Sequence, residues 1–257
     1  MAHNDRFKNC MKTLAAAVFW LLVWQGLSLL VQKPLLLPSP IEAAKRLCAL
    51  CVTLPFWQSN GLTLLRVSAG FCCGVCCGLL LGAATAKSKL LERLFAPLLA
   101  VVKATPVASF IILALVWLQK DLVPVFITFL IVLPVIWANV LEGIRQTDRG
   151  LLEMAQVFCL PRRKVFSKVY APSVLPYFAA GAATAMGLSW KAGVAAEVIA
   201  MSNSSVGYHL YRAKINLETP DLFAWTAVVV LLSVLLERVL RRAIRRMEGR
   251  KQHAADH

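Results

Sequence analysis

Four cysteines packed into six residues, Cys72, Cys73, Cys76 and Cys77, form the densest set of chemically capable side chains in this sequence. Positions i and i+4 share a helical face, so the spacing admits a thiolate metal site or a redox pair. Their surroundings oppose that chemistry. The stretch is apolar, no His or carboxylate lies among them, and Gly70, Gly74, Gly78 and Gly82 recur every four residues. Such a small-residue stripe lets helices approach closely, and an unligated cysteine behaves as a small hydrophobe, so packing is the favoured reading. Cys10, Cys48, Cys51 and Cys159 form no zinc pattern, two of the four His are His253 and His257 near the terminus, and no metal is expected.

Three ionisable residues, Lys103, Lys191 and Glu197, lie inside apolar runs. Each costs at least about 2.5 kcal/mol at the centre of a bilayer, which makes them candidate pathway residues. Lys191 either faces a pathway and attracts an anion or neutralises a carboxylate from another helix. Glu197 follows six residues later, a turn of about 600°, so the two lie on nearly opposite sides of one helix and do not pair within it. Glu197 is read as bracing the external end near Ser202–Ser205. Lys103, just before Thr105-Pro106, is read as reaching back toward the cytoplasm rather than touching substrate. Hydrolytic chemistry has no footing: there is no GxxxxGK[ST] phosphate loop, no HExxH, no GxSxG and no carboxylate pair placed for acid–base work. The chain is expected to bind no cofactor and to draw its energy from elsewhere.

These residues need elements to hold them, and composition says which. A chain of 257 residues with 59% hydrophobic content is too apolar for a soluble domain. Its apolar residues gather in runs near the roughly 20 residues that a bilayer-crossing helix requires, and the runs do not alternate as barrel strands would. Six spans are expected, at about 12–31, 62–86, 95–118, 122–141, 173–200 and 222–240. The net charge of +15 is distributed as orientation in a membrane requires, not as a nucleic-acid surface. One side collects Arg6, Lys8, Lys12, Lys87, Lys89, Arg93, Arg145, Arg149, Arg162, Arg163, Lys164, Lys168 and the tail Arg238 to Lys251. The other carries only Lys33, Lys45, Arg46, Arg66, Lys120, Arg212 and Lys214. Both termini, residues 1–11 and 247–257, are therefore expected in the cytoplasm. The N-terminal apolar run resembles a signal peptide, but Gln32-Lys33-Pro34 is no cleavage site, and an uncleaved first helix is expected. Ser39-Pro40 opens a short amphipathic helix, IEAAKRLCALCVTL, expected on the outer surface.

One connection between spans is patterned where membrane proteins usually leave a short plain loop. In Glu153–Pro176, EMAQVFCLPRRKVFSKVYAPSVLP, Thr147 or Asp148 can cap a helix over Leu151–Phe158 with Leu151, Leu152, Ala155 and Phe158 on one face. The chain must turn near Cys159, which a glycine would do more freely, and Pro161 starts a second short helix with Arg162, Arg163, Lys164 and Lys168 toward water or lipid phosphate. This layout resembles the EAA loop of ABC-importer permeases: Glu-Ala-Ala, three residues, Gly, nine residues, Ile, one residue, Leu-Pro. Glu153 and Ala155 match, Met154 stands for the middle Ala, Cys159 for the Gly, Val169 for the Ile, and Ala171-Pro172 for Leu-Pro. The blocks Gly187–Ala213 and Thr219–Trp225, and the turn Leu37–Pro40, are similar to the nitrate, sulfonate and taurine branch of that family.

The resemblance implies an all-α membrane protein of the type I importer permease fold, with six spans over 12–246 and a coupling loop at 148–172 between spans 4 and 5. It implies that Glu153, Met154, Ala155, Phe158, Cys159, Leu160, Pro161, Arg162, Val169 and Pro172 meet the ATPase. It also implies a prokaryotic inner-membrane location and four kinds of partner: a second copy of the chain, two cytosolic ATPases using ATP and magnesium, an extracytoplasmic binding protein, and lipids. The cargo would be a small anion such as a sulfonate or nitrate, with a pyrimidine-type vitamin precursor as the alternative. A self-sufficient ion-coupled transporter would show inverted repeats, and neither half of the sequence repeats the other.

Overall fold

A computed structural model describes the backbone of residues 2–33 and 35–253 and the side chains of 15, 16, 18–33 and 35–244. Its regular structure is helical: α1 Ala2–Val31, α2 Pro40–Cys51, α3 Leu54–Lys87, α4 Lys89–Ala104, α5 Val107–Trp117, α6 Val123–Arg145, α7 Arg149–Val157, α8 Arg162–Val165, α9 Ala171–Ala200, α10 Val206–Ile215 and α11 Thr219–His253. A π-helical turn, Phe166–Tyr170, carries α8 into α9 without a break. The whole of the N- and C-terminal segments expected in the cytoplasm, 1–11 and 247–257, lies outside the described side chains, Cys10 included.

The expectation of six apolar spans does not stand. Among the described residues three helices are long and apolar enough to cross a membrane, Leu54–Lys87, Val123–Arg145 and Thr219–Ile244, or four if a bent pair counts as one. That pair is α4 and α5, the third expected span, bent by 106°. Pro106 lacks an N–H and disfavours helix at the residue before it, and Thr105 is accordingly extended at φ −80°, ψ 134°. In the first expected span, only Val18–Val31 forms an apolar stretch among described residues, short of a full crossing. The fifth, α9, has the length but is not among them: it is rich in Ala and Gly, carries Lys191 and Glu197, and falls short in hydropathy. It can lack it because α9 packs against protein: Ala182, Ala185, Trp190, Val194 and Ala196 are buried within the bundle.

The centre of the molecule is the layer α3–α6–α9. Gly70, Gly74, Gly78 and Gly82 form the side of α3 that faces α6, where a Cβ at Gly78 would lie 2.8 Å from the Ile136 Cβ and one at Gly74 would lie 2.7 Å from the Val132 Cβ. Backbones thus meet with almost nothing between them, the geometry a small-residue stripe permits. The four cysteines take no part in that contact. Cys72, Cys73, Cys76 and Cys77 are all exposed, on the flanks of α3 turned from α6. On the other side of α6, Gly181 of α9 sits against the Asn139 side chain. Replacing Gly78 by leucine is expected to push α3 off α6 and cost about 1–3 kcal/mol or more. Gly61→Ala, where no atom lies within 4 Å of the added carbon, serves as the control. Equal thermal unfolding of the two variants in detergent would show that the stripe does not set the spacing.

A second cluster closes the opposite end. Ser39 caps α2 in a reciprocal box with Glu42: the Ser39 hydroxyl accepts from the Glu42 N–H at 3.2 Å, and the Glu42 carboxylate accepts from the Ser39 N–H at 2.9 Å. Arg46 of α2 forms a bidentate pair with Asp221 of α11. Trp225 of α11 stacks on His209 of α10 at 4.5 Å and packs against Phe56 of α3.

Candidate functional site

The loop between α6 and α9 is a built object. Asp148 caps α7 by accepting from the Gly150 N–H at 2.7 Å, and α7 ends after two and a half turns at Val157. The termination is a reverse turn in which the Cys159 N–H donates to the Gln156 carbonyl and the Leu160 N–H to the Ala155 carbonyl, both at 2.9 Å. This paired pattern needs a left-handed residue between, and Cys159 supplies it at φ 48°. Pro161 then stands as the cap of α8.

Burial divides the loop residues into two groups. Ala155, 3% exposed, and Val169, 5% exposed, anchor the loop to the bundle. Glu153, Met154, Phe158, Cys159, Pro161 and Arg162 are exposed, and Leu160 is half-buried. Phe158 does not share the burial of Ala155. It caps the helix end and is 71% exposed beside Val157 at 80%. Pro172 lies in the first turn of α9, past the loop proper. The result is a helical hairpin, α7 against the α8 extension of α9, with an apolar knob, Val157 and Phe158, at its turn and a basic run, Arg162, Arg163 and Lys164, beside it.

A non-glycine residue at φ 48° carries a local penalty of about 1 kcal/mol or more. Cys159→Gly is therefore expected to raise stability by about 0.5–1 kcal/mol, the gain reduced by glycine's greater freedom when unfolded. Thermal melting of the purified protein tests this, and a lowered Tm would contradict it.

The three ionisable residues part company in space. Lys191 is exposed on α9, on a face shared with Ala180, Thr184, Leu188 and Ala195 that stays open among the described residues. Among the described residues it makes no ion pair. Glu197 has no exposure at all. Lys103 sits in the last turn of α4, beside the break at Thr105-Pro106 and far from the helix start at Lys89. The structure does not gather the three into one site.

Glu197 belongs instead to a buried polar cluster at the C-terminal end of α9, away from the α6–α9 loop. Its Oε2 accepts from the Thr63 hydroxyl at 2.9 Å and from the Gly207 N–H at 3.2 Å, while its Oε1 lies 3.5 Å from an Arg66 guanidinium nitrogen. Arg66 also donates to Asp121 at 2.9 Å, and Asp121 accepts from the Asn203 N–H at 2.8 Å. Thr63, while donating to Glu197, accepts from the Val206 N–H at 3.0 Å. The cluster therefore locks α3, the turn before α6, the end of α9 and the start of α10 together. Arg66 and Asp121 carry a signal in the sequence, opposite charges at the ends of two apolar runs, but nothing local says that they meet across 55 positions.

Residues 74–249 match the family described as the binding-protein-dependent transport system inner membrane component. The chain belongs to that family. It is a transport permease subunit and not an enzyme. Among relatives of this permease family, the riboflavin transport system permease protein RibX of Chloroflexus aurantiacus is 33% identical over 252 residues, covering 93% of this chain and 92% of that protein. The nitrate import permease protein NrtB of Synechococcus elongatus is 27% identical over 221 residues, covering 82% and 78%. With a vitamin carrier and an anion carrier both similar, the match extends across branches, and the nitrate, sulfonate and taurine branch is not singled out. A solved bacterial alginate ABC transporter aligns with a TM-score of 0.60 at 14% identity over 96% of both chains, a likeness of fold.

Proposed function

We infer that this permease forms, with a second copy of itself, the pathway of an ATP-driven importer of small anions, and that its hairpin loop is where two cytosolic ATPases grip it. An extracytoplasmic binding protein would deliver the cargo to the external end. The observation that carries the substrate class is Lys191: a cation on a small-residue face of α9, exposed and without a carboxylate partner among the described residues. A side chain left charged inside an apolar segment is costly, and such residues line substrate paths. The small residues Ala180, Thr184 and Ala195 on the same face leave room beside a symmetry mate for a solute. The exposed knob Val157–Phe158 and its basic neighbours support the docking role.

A second reading, a vitamin-like heteroaromatic cargo, is favoured by the likeness to RibX along nearly the whole chain. The two readings separate on one residue. In membranes or vesicles with the partner ATPase, Lys191→Glu is expected to lower uptake of a nitrate- or sulfonate-class anion at least tenfold, with ATPase retention unchanged. Undiminished anion uptake would remove Lys191 from the pathway, and uptake of a neutral heteroaromatic by both forms would install the second reading.

A further inference from the structure

We propose that Glu237 of α11 is the resident counter-ion of Lys191, pairing with it while no cargo is bound and yielding it to an anionic cargo by turning to Arg241. The proposal deepens the importer reading and rests on its placing of Lys191 on the pathway. Lys191 needs such a partner on physical grounds. A lone cation inside an apolar helix costs at least about 2.5 kcal/mol at the centre of a bilayer, and a permease spends part of its cycle empty. Glu237 lies within the apolar span Thr219–Ile244 of α11 and carries a cost of the same kind. A pair formed across the two helices relieves both.

The packing of α9 on α11 brings the two residues to one place. Trp190 of α9 donates its indole N–H to the Val229 carbonyl of α11 at 3.0 Å, and Leu232 and Leu236 pack against the cluster of Trp190 and Val194. Gly187 of α9 has no side chain, and Glu237 uses the space: a Cβ added at Gly187 would lie 3.2 Å from the Glu237 Oε1. Lys191 is four residues on, hence on the same side of α9 and about 6 Å further along its axis. Helical side chains lean over the turn N-terminal to their own Cα, so Lys191 leans toward Gly187, and its four-carbon stem spans that turn. Side-chain rotation alone therefore brings its ammonium to the Glu237 carboxylate. The other carboxylates in these helices are out of place. Glu197 is sealed against Arg66 on nearly the opposite side of α9. Glu142 precedes Gly143, which packs at Tyr177, about 20 Å back along α9 from Lys191.

In this structure Glu237 is turned to its second partner. Its Oε2 lies 3.5 Å from an Arg241 guanidinium nitrogen, one turn further along α11, and Lys191 makes no ion pair among the described residues. Glu237 thus stands between two cations, one on each helix, and its side chain is 38% exposed, with room to move. An anion and Glu237 compete for one ammonium, so the apparent affinity for cargo falls with the share of Lys191 that Glu237 holds. Glu237 therefore sets how tightly an anion must bind to take the site. Arg241 acts in the opposite sense, because it draws the carboxylate away.

Two readouts on the full-length permease, with its partner ATPase in vesicles, test the exchange. The first is the rate at which acetic anhydride acetylates Lys191 without cargo, followed by mass spectrometry of its peptide. Glu237→Gln should speed that rate by about threefold or more, because a carboxylate partner keeps the amine protonated, and Arg241→Gln should slow it. The second is uptake of nitrate and of methanesulfonate. Glu237→Gln should lower KM by about threefold or more and Arg241→Gln should raise it, with the maximal rate changing less in both. A merely structural role for the pair would move the two variants the same way. Equal acetylation of Lys191 in wild type and Glu237→Gln, or KM values moving in one direction in both variants, would overturn the proposal and leave Lys191 on the pathway. Undiminished anion uptake by Lys191→Glu, or a wild type that takes up neither anion, would instead remove the importer reading of Lys191 and with it the exchange. Faster acetylation in Glu237→Gln would still support the pair itself, so the two readings fail separately.

Discussion

Replacing Arg66 by leucine is expected to destabilise the protein by about 3–5 kcal/mol, because it strips the cation from a carboxylate that has no exposure to solvent. Glu197 keeps two neutral donors, the Thr63 hydroxyl and the Gly207 N–H, but its Oε1 has only Arg66 nearby. Asp121 and the Asn203 carbonyl lose the same partner, so the turn before α6 and the segment after α9 come loose together. The melting temperature in detergent should fall by on the order of 10 °C. The double variant Arg66→Leu, Glu197→Gln isolates the cause, since it removes the stranded charge while keeping a side chain of equal size. It should recover most of the loss, and the cycle of single and double variants gives the coupling between the two residues. A single variant that melts with wild type would mean that Glu197 is held neutral and that the pair carries no weight.

The second large effect is expected at the loop. Phe158→Asp should abolish retention of the partner ATPase while leaving membrane insertion intact. Phe158 is a side chain 71% exposed among the described residues, at the turn of a hairpin whose anchors, Ala155 and Val169, are buried. Covering such a ring on docking contributes about 1.5–3 kcal/mol, and a carboxylate in its place adds a desolvation cost on top. At about 1.4 kcal/mol per factor of ten, the affinity should fall a hundredfold or more. Co-purification of the ATPase with wild type and variant measures this directly. Glu153→Arg, also exposed on α7, provides a second substitution on the same surface. Stoichiometric ATPase on both variants would place the docking surface elsewhere on the chain.

How much of this was legible beforehand depends on whether the physics is local. The spacing from Glu153 through Cys159 to Val169 leads to the permease family without any structure, because a loop that must turn at a set place keeps its turn residue at a set distance. The capping box of Ser39 and Glu42 and the glycine stripe are equally local, each readable within a few residues. The exposure of Phe158 was not legible in this way. Helical periodicity puts it with Ala155, but the helix ends at Val157 and the turn at Cys159 throws the ring outward. The count of spans erred in the same way, since length and hydropathy measure contact with lipid, and α9 takes most of its contacts from protein.

Sequence by itself determined the helical class, the membrane setting and the family, all of which follow from runs and spacings along the chain. Only the tertiary structure decided which prolines break a helix and which ionisable groups meet. Pro134 lies buried in α6 with the helix continuous through it, while Pro106, exposed between α4 and α5, sits at a 106° bend. The residue is the same in both places, and the difference is whether packed neighbours hold the chain on either side. Lys191 and Glu197 share one helix, yet one stands open on an uncovered face and the other is sealed against Arg66 from α3. That assignment comes from the neighbours a side chain acquires when distant segments pack, which no local pattern encodes.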